Sequence, residues 1–170
     1  ILANPFIFNW LVPRRQEQTD PIEPPADTGD RMDHIVLVGY GRVGKLIAQD
    51  LLARKRPFIL IEDQTDTASA AKGEGLDVVR GNAVDPEALK AAGVDRAAKL
   101  LIAIPEGFEG GAVIEAARAI NPDIAIVARA HSDAEVDYLQ ARGAGDAVMG
   151  AREIASRMLS LCAVPLKRHA

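Results

Sequence analysis

Six short, strongly apolar runs recur along the chain: HIVLVG, FILIED, LDVVRG, KLLIAIP, DIAIVARA and DAVMG. Longer alanine-rich stretches with helical spacing lie between them: KLIAQDLLARK, TASAAKGEG, PEALKAAG, GAVIEAARAI and AEVDYLQARG. Strands apolar on both faces cannot rest half in water, so they are expected in a parallel sheet covered by helices on both sides. Strand–helix–strand repeated in this way gives right-handed crossovers and a doubly wound, Rossmann-like α/β domain. Six strands in the order 3-2-1-4-5-6 are expected over residues 34–150. Gly75, Gly93 and Gly143 stand at the joints where helices hand over to strands. A closing segment, AREIASRMLSLC, puts Ile154, Met158, Leu159 and Cys162 on one helical face, which either packs on the sheet or meets a partner.

With 48% apolar and 26% charged residues in a chain of 170, there is enough material for one cored domain plus some extra chain. A net charge of -4 offers no basic field and argues against nucleic-acid binding. The one cysteine, Cys162, excludes an internal disulfide framework and zinc-ligand spacing. It is expected as a small, buried apolar group near a helix end, which suits a reducing cytosol.

The extra chain lies mostly ahead of the first strand. Residues 1–15, ILANPFIFNWLVPRR, carry an apolar run shorter than the roughly 20 residues that span a bilayer. Its arginines, Arg14 and Arg15, follow the run, the reverse of a signal peptide. Together with a first residue that is not methionine, this suggests the end of a truncated transmembrane helix, with Trp10 at the interface and the arginines on the cytoplasmic side. A loose apolar arm is the alternative. Residues 16–33 are rich in proline and acid and read as an extended linker. The nucleotide-binding domain is expected over residues 34–162, and a C-terminal tail over 163–170.

Directly after the first strand, GYGRVG places Gly39, Gly41 and Gly44 in a G-x-G-x-x-G pattern. The first glycine permits a tight turn, the second a close approach of backbone to a pyrophosphate, and the third close helix–strand packing. A helix starting near Arg42 would aim free N–H groups and its dipole at those phosphates. Arg42 and Val43 lie inside the turn. Glu62 ends the second strand, 18 residues after Gly44, where an acid accepts hydrogen bonds from ribose hydroxyls and repels a 2′-phosphate. Asp63 is its substitute.

Other strand ends face the same crevice. Asn82, followed by Ala83, suits adenine or ribose recognition, or is a turn-forming asparagine. Ile104 is placed to lie against an adenosine. Arg129 offers a fixed cation to a phosphate or a regulatory anion, or else a salt bridge to a neighbouring helix. His131 reads as a loop histidine. No Gly-x-Ser-x-Gly, paired metal ligands or acid–base pair accompanies these residues, and only about twenty residues remain after the sixth strand. No enzyme activity is expected. A small NAD-dependent oxidoreductase, or a fragment of one, is the alternative.

HIVLVGYGRVG, LIED, VVRGNA, LLIAIP, IAIVARA and VMGAREIASRML together resemble the TrkA-N (RCK N-terminal) module that regulates potassium transport. The likeness is greatest to the cytosolic C-terminal domain of Kef-type monovalent cation:proton antiporters, and it covers residues 33–162. The resemblance implies a homodimeric regulatory domain that binds NAD(H) or AMP. It also implies a transmembrane antiporter domain in the same protein, exchanging potassium for protons across the plasma (inner) membrane. On this reading Gly39, Gly41, Arg42 and Gly44 carry the phosphates, Glu62 the ribose, Asn82 and Ala83 the adenine border, and Arg129 the anion-sensing cleft. Many relatives have aspartate in place of Asn82, and often in place of Glu62. The longer extension of glutathione-gated members does not follow the sixth strand, so glutathione control is not expected. A free-standing uptake subunit docking on a separate channel is a third reading, against which the apolar start argues.

Overall fold

A computed structural model describes residues 32–162. The expected membrane-helix end, nearly all of the linker and the tail lie outside the described residues. The elements alternate without exception: β1 (Ile35–Val38), α1 (Arg42–Ala53), β2 (Phe58–Glu62), α2 (Thr65–Gly73), β3 (Val78–Arg80), α3 (Pro86–Ala91), β4 (Lys99–Ile102), α4 (Gly107–Ile120), β5 (Ala125–Ala130), α5 (Asp133–Ala141), β6 (Asp146–Met149) and α6 (Gly150–Leu161). All strands pair in parallel, in the order β3-β2-β1-β4-β5-β6. The expected strand order is the observed one.

Because side chains alternate across a strand, the apolar runs supply two cores. On one face, Val36, Ile59, Leu100 and Ile126 pack with Leu89 of α3, Ile114 of α4 and Leu139 of α5. On the other, Leu37, Leu60 and Val78 pack with Ala48 and Leu51 of α1 and Ala68 of α2. Gly75, Gly93 and Gly143 take φ of 83°, 71° and 100°, the left-handed conformation that ends a helix and returns the chain to the sheet. Local chemistry fixes helix starts as well. Asp85 caps α3 by accepting from the Glu87 N–H at 2.9 Å, ahead of Pro86, and Ser132 caps α5 by accepting from the Glu135 N–H at 3.2 Å. Helices α4 and α5 approach closely through Gly111, where an added Cβ would stand 2.5 Å from the Tyr138 ring.

The structure departs from the expected two-sided cover at one place. On the α1 side of β4, β5 and β6, Leu101 and Val127 are half-buried and Val148 is 41% exposed. With Val43 and Ile47 of α1 they line an apolar groove of about 200 Å³. Helix α6 does not cover it. None of the α6 side chains is buried, and Ile154, Met158 and Leu161 are each more than 60% exposed. Cys162, expected as a buried apolar group, is exposed for the same reason: α6 leads the chain away from the sheet. Among the described residues, no helix is long and apolar enough to cross a membrane.

Candidate functional site

A cleft of about 1020 Å³ opens beyond the carboxyl ends of the strands, the place where open α/β sheets hold ligands. Gly39, Gly41, Arg42, Val43, Glu62, Asp63, Asn82, Ala83, Ile104 and Arg129 all line it. Gly44 does not, for a physical reason. A Cβ on Gly44 would overlap the carbonyl oxygen of Gly39, so this glycine holds α1 against the end of β1. Gly39 turns the chain with φ of 90°, and a Cβ there would press on the Ile104 side chain at 2.9 Å. Gly41 is different: an added Cβ would meet no protein atom within 4 Å. Packing does not require glycine at this position, whereas an approaching ligand would.

The charge pattern around the turn is divided. Arg42 opens α1, Lys45 lies in its first turn, and Arg129 ends β5, so three cations face the region above the α1 N-terminus. The side chains of Arg42 and Arg129 form no hydrogen bond or ion pair among the described residues, and the salt bridge open to Arg129 in the sequence is not made. Lys45 places its Nζ 5.3 Å from the Tyr40 ring centroid. Free N–H groups at the same helix start make this half of the cleft a receptor for anions.

Carboxylates gather on the other half. Glu62 is not a solvated strand-end charge, because only 7% of it is exposed. Its Oε2 accepts from the Tyr40 N–H at 2.6 Å and its Oε1 from the Gln64 N–H at 3.0 Å. A carboxylate has about four lone-pair directions, so each oxygen keeps one for a further donor. Burial raises the Glu62 pKa, the two N–H donors oppose that rise, and Asp63 adds to it. Glu109, in the first turn of α4, is also raised, by burial first and then by the charges of Asp63 and Glu106. Glu106 and Glu109 both line the cleft.

Asn82 uses its side-chain oxygen on the Val84 N–H at 2.8 Å, which is the turn-forming role. Its amide nitrogen has no partner among the described residues. His131 borders the cleft with its backbone N–H on Glu135 Oε2 at 2.8 Å. Tyr40, Lys45, Gln64, Thr67, Glu106 and Glu109 are lining residues that sequence reasoning did not single out. For Tyr40 and Lys45 a signal existed, since both flank the glycines. Tyr40 is buried and donates its phenol to Glu74 at 2.7 Å, tying the glycine turn to the end of α2. Among the described residues no cluster of His, Cys, Asp and Glu is arranged to hold a metal ion.

The TrkA-N domain family matches residues 35–150. The chain is 45% identical over 174 residues to the putative cation/proton antiporter YbaL of Escherichia coli (strain K12), covering 97% of this chain and 31% of YbaL. It therefore spans about a third of that relative. The crystal structure of the TrkA-N domain of the inner membrane protein ybaL from Escherichia coli superposes with a TM-score of 0.74 at 45% identity, covering 78% of this chain and 98% of that one. Two more distant likenesses concern the fold alone. The GsuK channel bound to NAD has a TM-score of 0.71 at 21% identity, covering 91% of this chain and 27% of that one. The Shewanella denitrificans Kef CTD in its AMP-bound form has a TM-score of 0.63 at 24% identity, covering 76% and 81%. A match along most of the described fold, with the glycine turn in place, makes this chain a member of the TrkA-N domain family.

Proposed function

We propose that the cleft takes an adenine nucleotide, AMP or NAD(H), as a regulatory ligand, and that the domain thereby controls potassium/proton antiport by a membrane transporter. One observation carries this reading. Beside Gly41 there is room for a ligand and no packing reason for glycine, with unpaired Arg42 and Arg129 on one side and the prepositioned Glu62 carboxylate on the other. Phosphate would meet the α1 N-terminus and the cations, and ribose hydroxyls would donate to the free lone pairs of Glu62. The same buried carboxylate opposes a 2′-phosphate. The nucleotides named with the Kef and GsuK structures support this assignment.

Residues 34–162 would form this domain on the cytoplasmic face of the inner membrane. Residues 1–15 would end a transmembrane helix of the antiporter, residues 16–33 would link the two, and 163–170 would be the tail. The domain would act as a homodimer, since α6 has an unburied apolar face and the sheet an uncovered groove. A regulatory role needs no chemistry at the ligand, and no hydride acceptor or substrate is assigned.

Calorimetric titration of the 170-residue chain with AMP, NAD, NADH and NADPH tests the reading, with Gly41→Asp as control. Saturable binding of AMP or NAD(H), weak for NADPH and lost in the variant, is the expected result. A folded chain that binds none of them refutes it. Hydride transfer to or from any added substrate would favour the oxidoreductase alternative.

A further inference from the structure

Besides Glu62, the carboxylates of Asp63, Glu106 and Glu109 line the cleft. Asp63 and Glu106 are exposed to water, whereas Glu109, in the first turn of α4, is partly buried. Its carboxyl nevertheless accepts no hydrogen bond and joins no ion pair among the described residues. A carboxylate drawn partly out of water without a donor is costly. Burial first, and then the charges of Asp63 and Glu106, oppose its ionisation. The core contacts of α4 are made by Val113, Ile114 and Ala117, so Glu109 does not serve them. Its carboxyl is open to donors that the protein itself does not supply.

In the nucleotide reading of the cleft, phosphate meets the start of α1 with Arg42 and Arg129, and ribose meets Glu62 at the end of β2. The base leaves the ribose on the side away from the phosphate. It therefore continues past Glu62, into the part of the cleft bordered by Asp63, Asn82, Ile104 and Glu109. Asp63 follows Glu62 directly, and its charge acts on Glu109, so the two acids stand across this part of the cleft from each other. Adenine carries an amino donor at C6, flanked by ring acceptors. Asn82, whose oxygen is held by the Val84 N–H at 2.8 Å, keeps its amide nitrogen for a ring acceptor. Glu109 keeps its lone pairs for the amino group.

We propose that Glu109 is the base-selecting residue of the cleft, its carboxylate accepting from the 6-amino group of adenine. The assignment rests on the reading of the cleft as a nucleotide site. A purine without that amino group leaves the partly buried carboxylate as unpaired as it is in the free protein. Hypoxanthine turns a carbonyl oxygen toward it, and two acceptors repel.

Calorimetric titration of the 170-residue chain with AMP, purine riboside 5′-monophosphate and IMP, in buffer well above the carboxylate range, tests the assignment. The three share ribose and phosphate, so their ratio isolates the base. AMP should bind roughly tenfold or more tightly than either analogue. Glu109→Met keeps the length of the side chain without an acceptor, and it should bind AMP and the purine riboside alike. Glu109→Gln, whose amide oxygen still accepts, should restore part of the preference. Glu106→Gln, at the exposed neighbour, should leave it intact. If the wild type binds AMP and the purine riboside alike, or prefers IMP, base selection by Glu109 is overturned and the nucleotide site stands. It is equally overturned if Glu109→Met keeps the preference for AMP, or if Glu106→Gln abolishes it. A folded chain that binds none of the three overturns the nucleotide reading and this assignment together.

Discussion

Replacing Gly41 and Gly44 separately by alanine should divide ligand binding from stability, although the two residues are three positions apart in one turn. Gly41 has φ of -71° and ψ of -165°, which alanine adopts without strain. Gly→Ala at such a site stabilises by about 0.4–1 kcal/mol through the unfolded chain. Gly41 is also the N-cap of α1, where alanine is worse than glycine by about 0.5 kcal/mol. With no protein atom within 4 Å of the new methyl, the two effects nearly cancel. The melting temperature should stay within about 2 °C of wild type. The methyl would stand where backbone and phosphate approach most closely, so AMP affinity should fall at least about tenfold, or 1.4 kcal/mol. At Gly44 the new Cβ overlaps a backbone oxygen that no rotamer change can remove. Helix α1 must then lift off β1, at about 1–3 kcal/mol or more, and the melting temperature should drop by roughly 5 °C or more. Thermal melts with calorimetric titration of both variants measure all four quantities. A Gly41→Ala variant that binds like wild type would refute the role of Gly41 in ligand approach. One that melts as low as Gly44→Ala would refute the open space beside it.

Burial holds the Glu62 pKa above the ordinary 4.5, so the stability linked to this group is complete below that value and is lost as pH rises through the folded pKa. Glu62→Gln should flatten this part of the melting profile above pH 4.5; an unchanged profile would assign the pH dependence elsewhere. Tyr40→Phe removes the 2.7 Å bond to Glu74 and should cost about 1–2 kcal/mol in denaturant unfolding. Burial, and then the hydrogen bond and charge of Glu74, push the Tyr40 phenol up to about 12; ultraviolet titration should show one tyrosine ionising there, and earlier in Glu74→Gln. Gly111→Ala forces a methyl against the Tyr138 ring at 2.5 Å and Arg142 Cδ at 2.8 Å. It should lower stability by about 1–3 kcal/mol while leaving nucleotide titrations intact, since Gly111 does not line the cleft.

The glycine turn was legible because its interactions are local. Gly39, Gly41 and Gly44 act within a few residues of one another, and strand, turn and helix follow one another in the chain. Glu62 was legible as a position and not as an environment. FILIED reads as a strand with an acid at its end, but the parallel pairing of β1 with β2 brings the Tyr40 N–H onto the carboxylate and takes it from water. Glu109 left no signal. Asp63, whose charge acts on it, is 46 residues away in the chain, and the sheet order brings the two to one cleft by placing β2 and β4 on either side of β1. Asn82 allowed recognition or a turn, and the structure commits its oxygen to the turn.

The six strands, their order and the phosphate-type turn follow from the amino-acid residues alone. Apolar runs of strand length must be buried, right-handed crossovers leave few topologies, and a glycine pattern works through its own backbone. The uncovered groove and the exposure of α6 and Cys162 emerge only from the packing of distant segments. An apolar helical face reads alike in sequence whether its own sheet or another surface covers it. The choice depends on the connection between Met149 and Gly150, where no loop allows the helix to turn back.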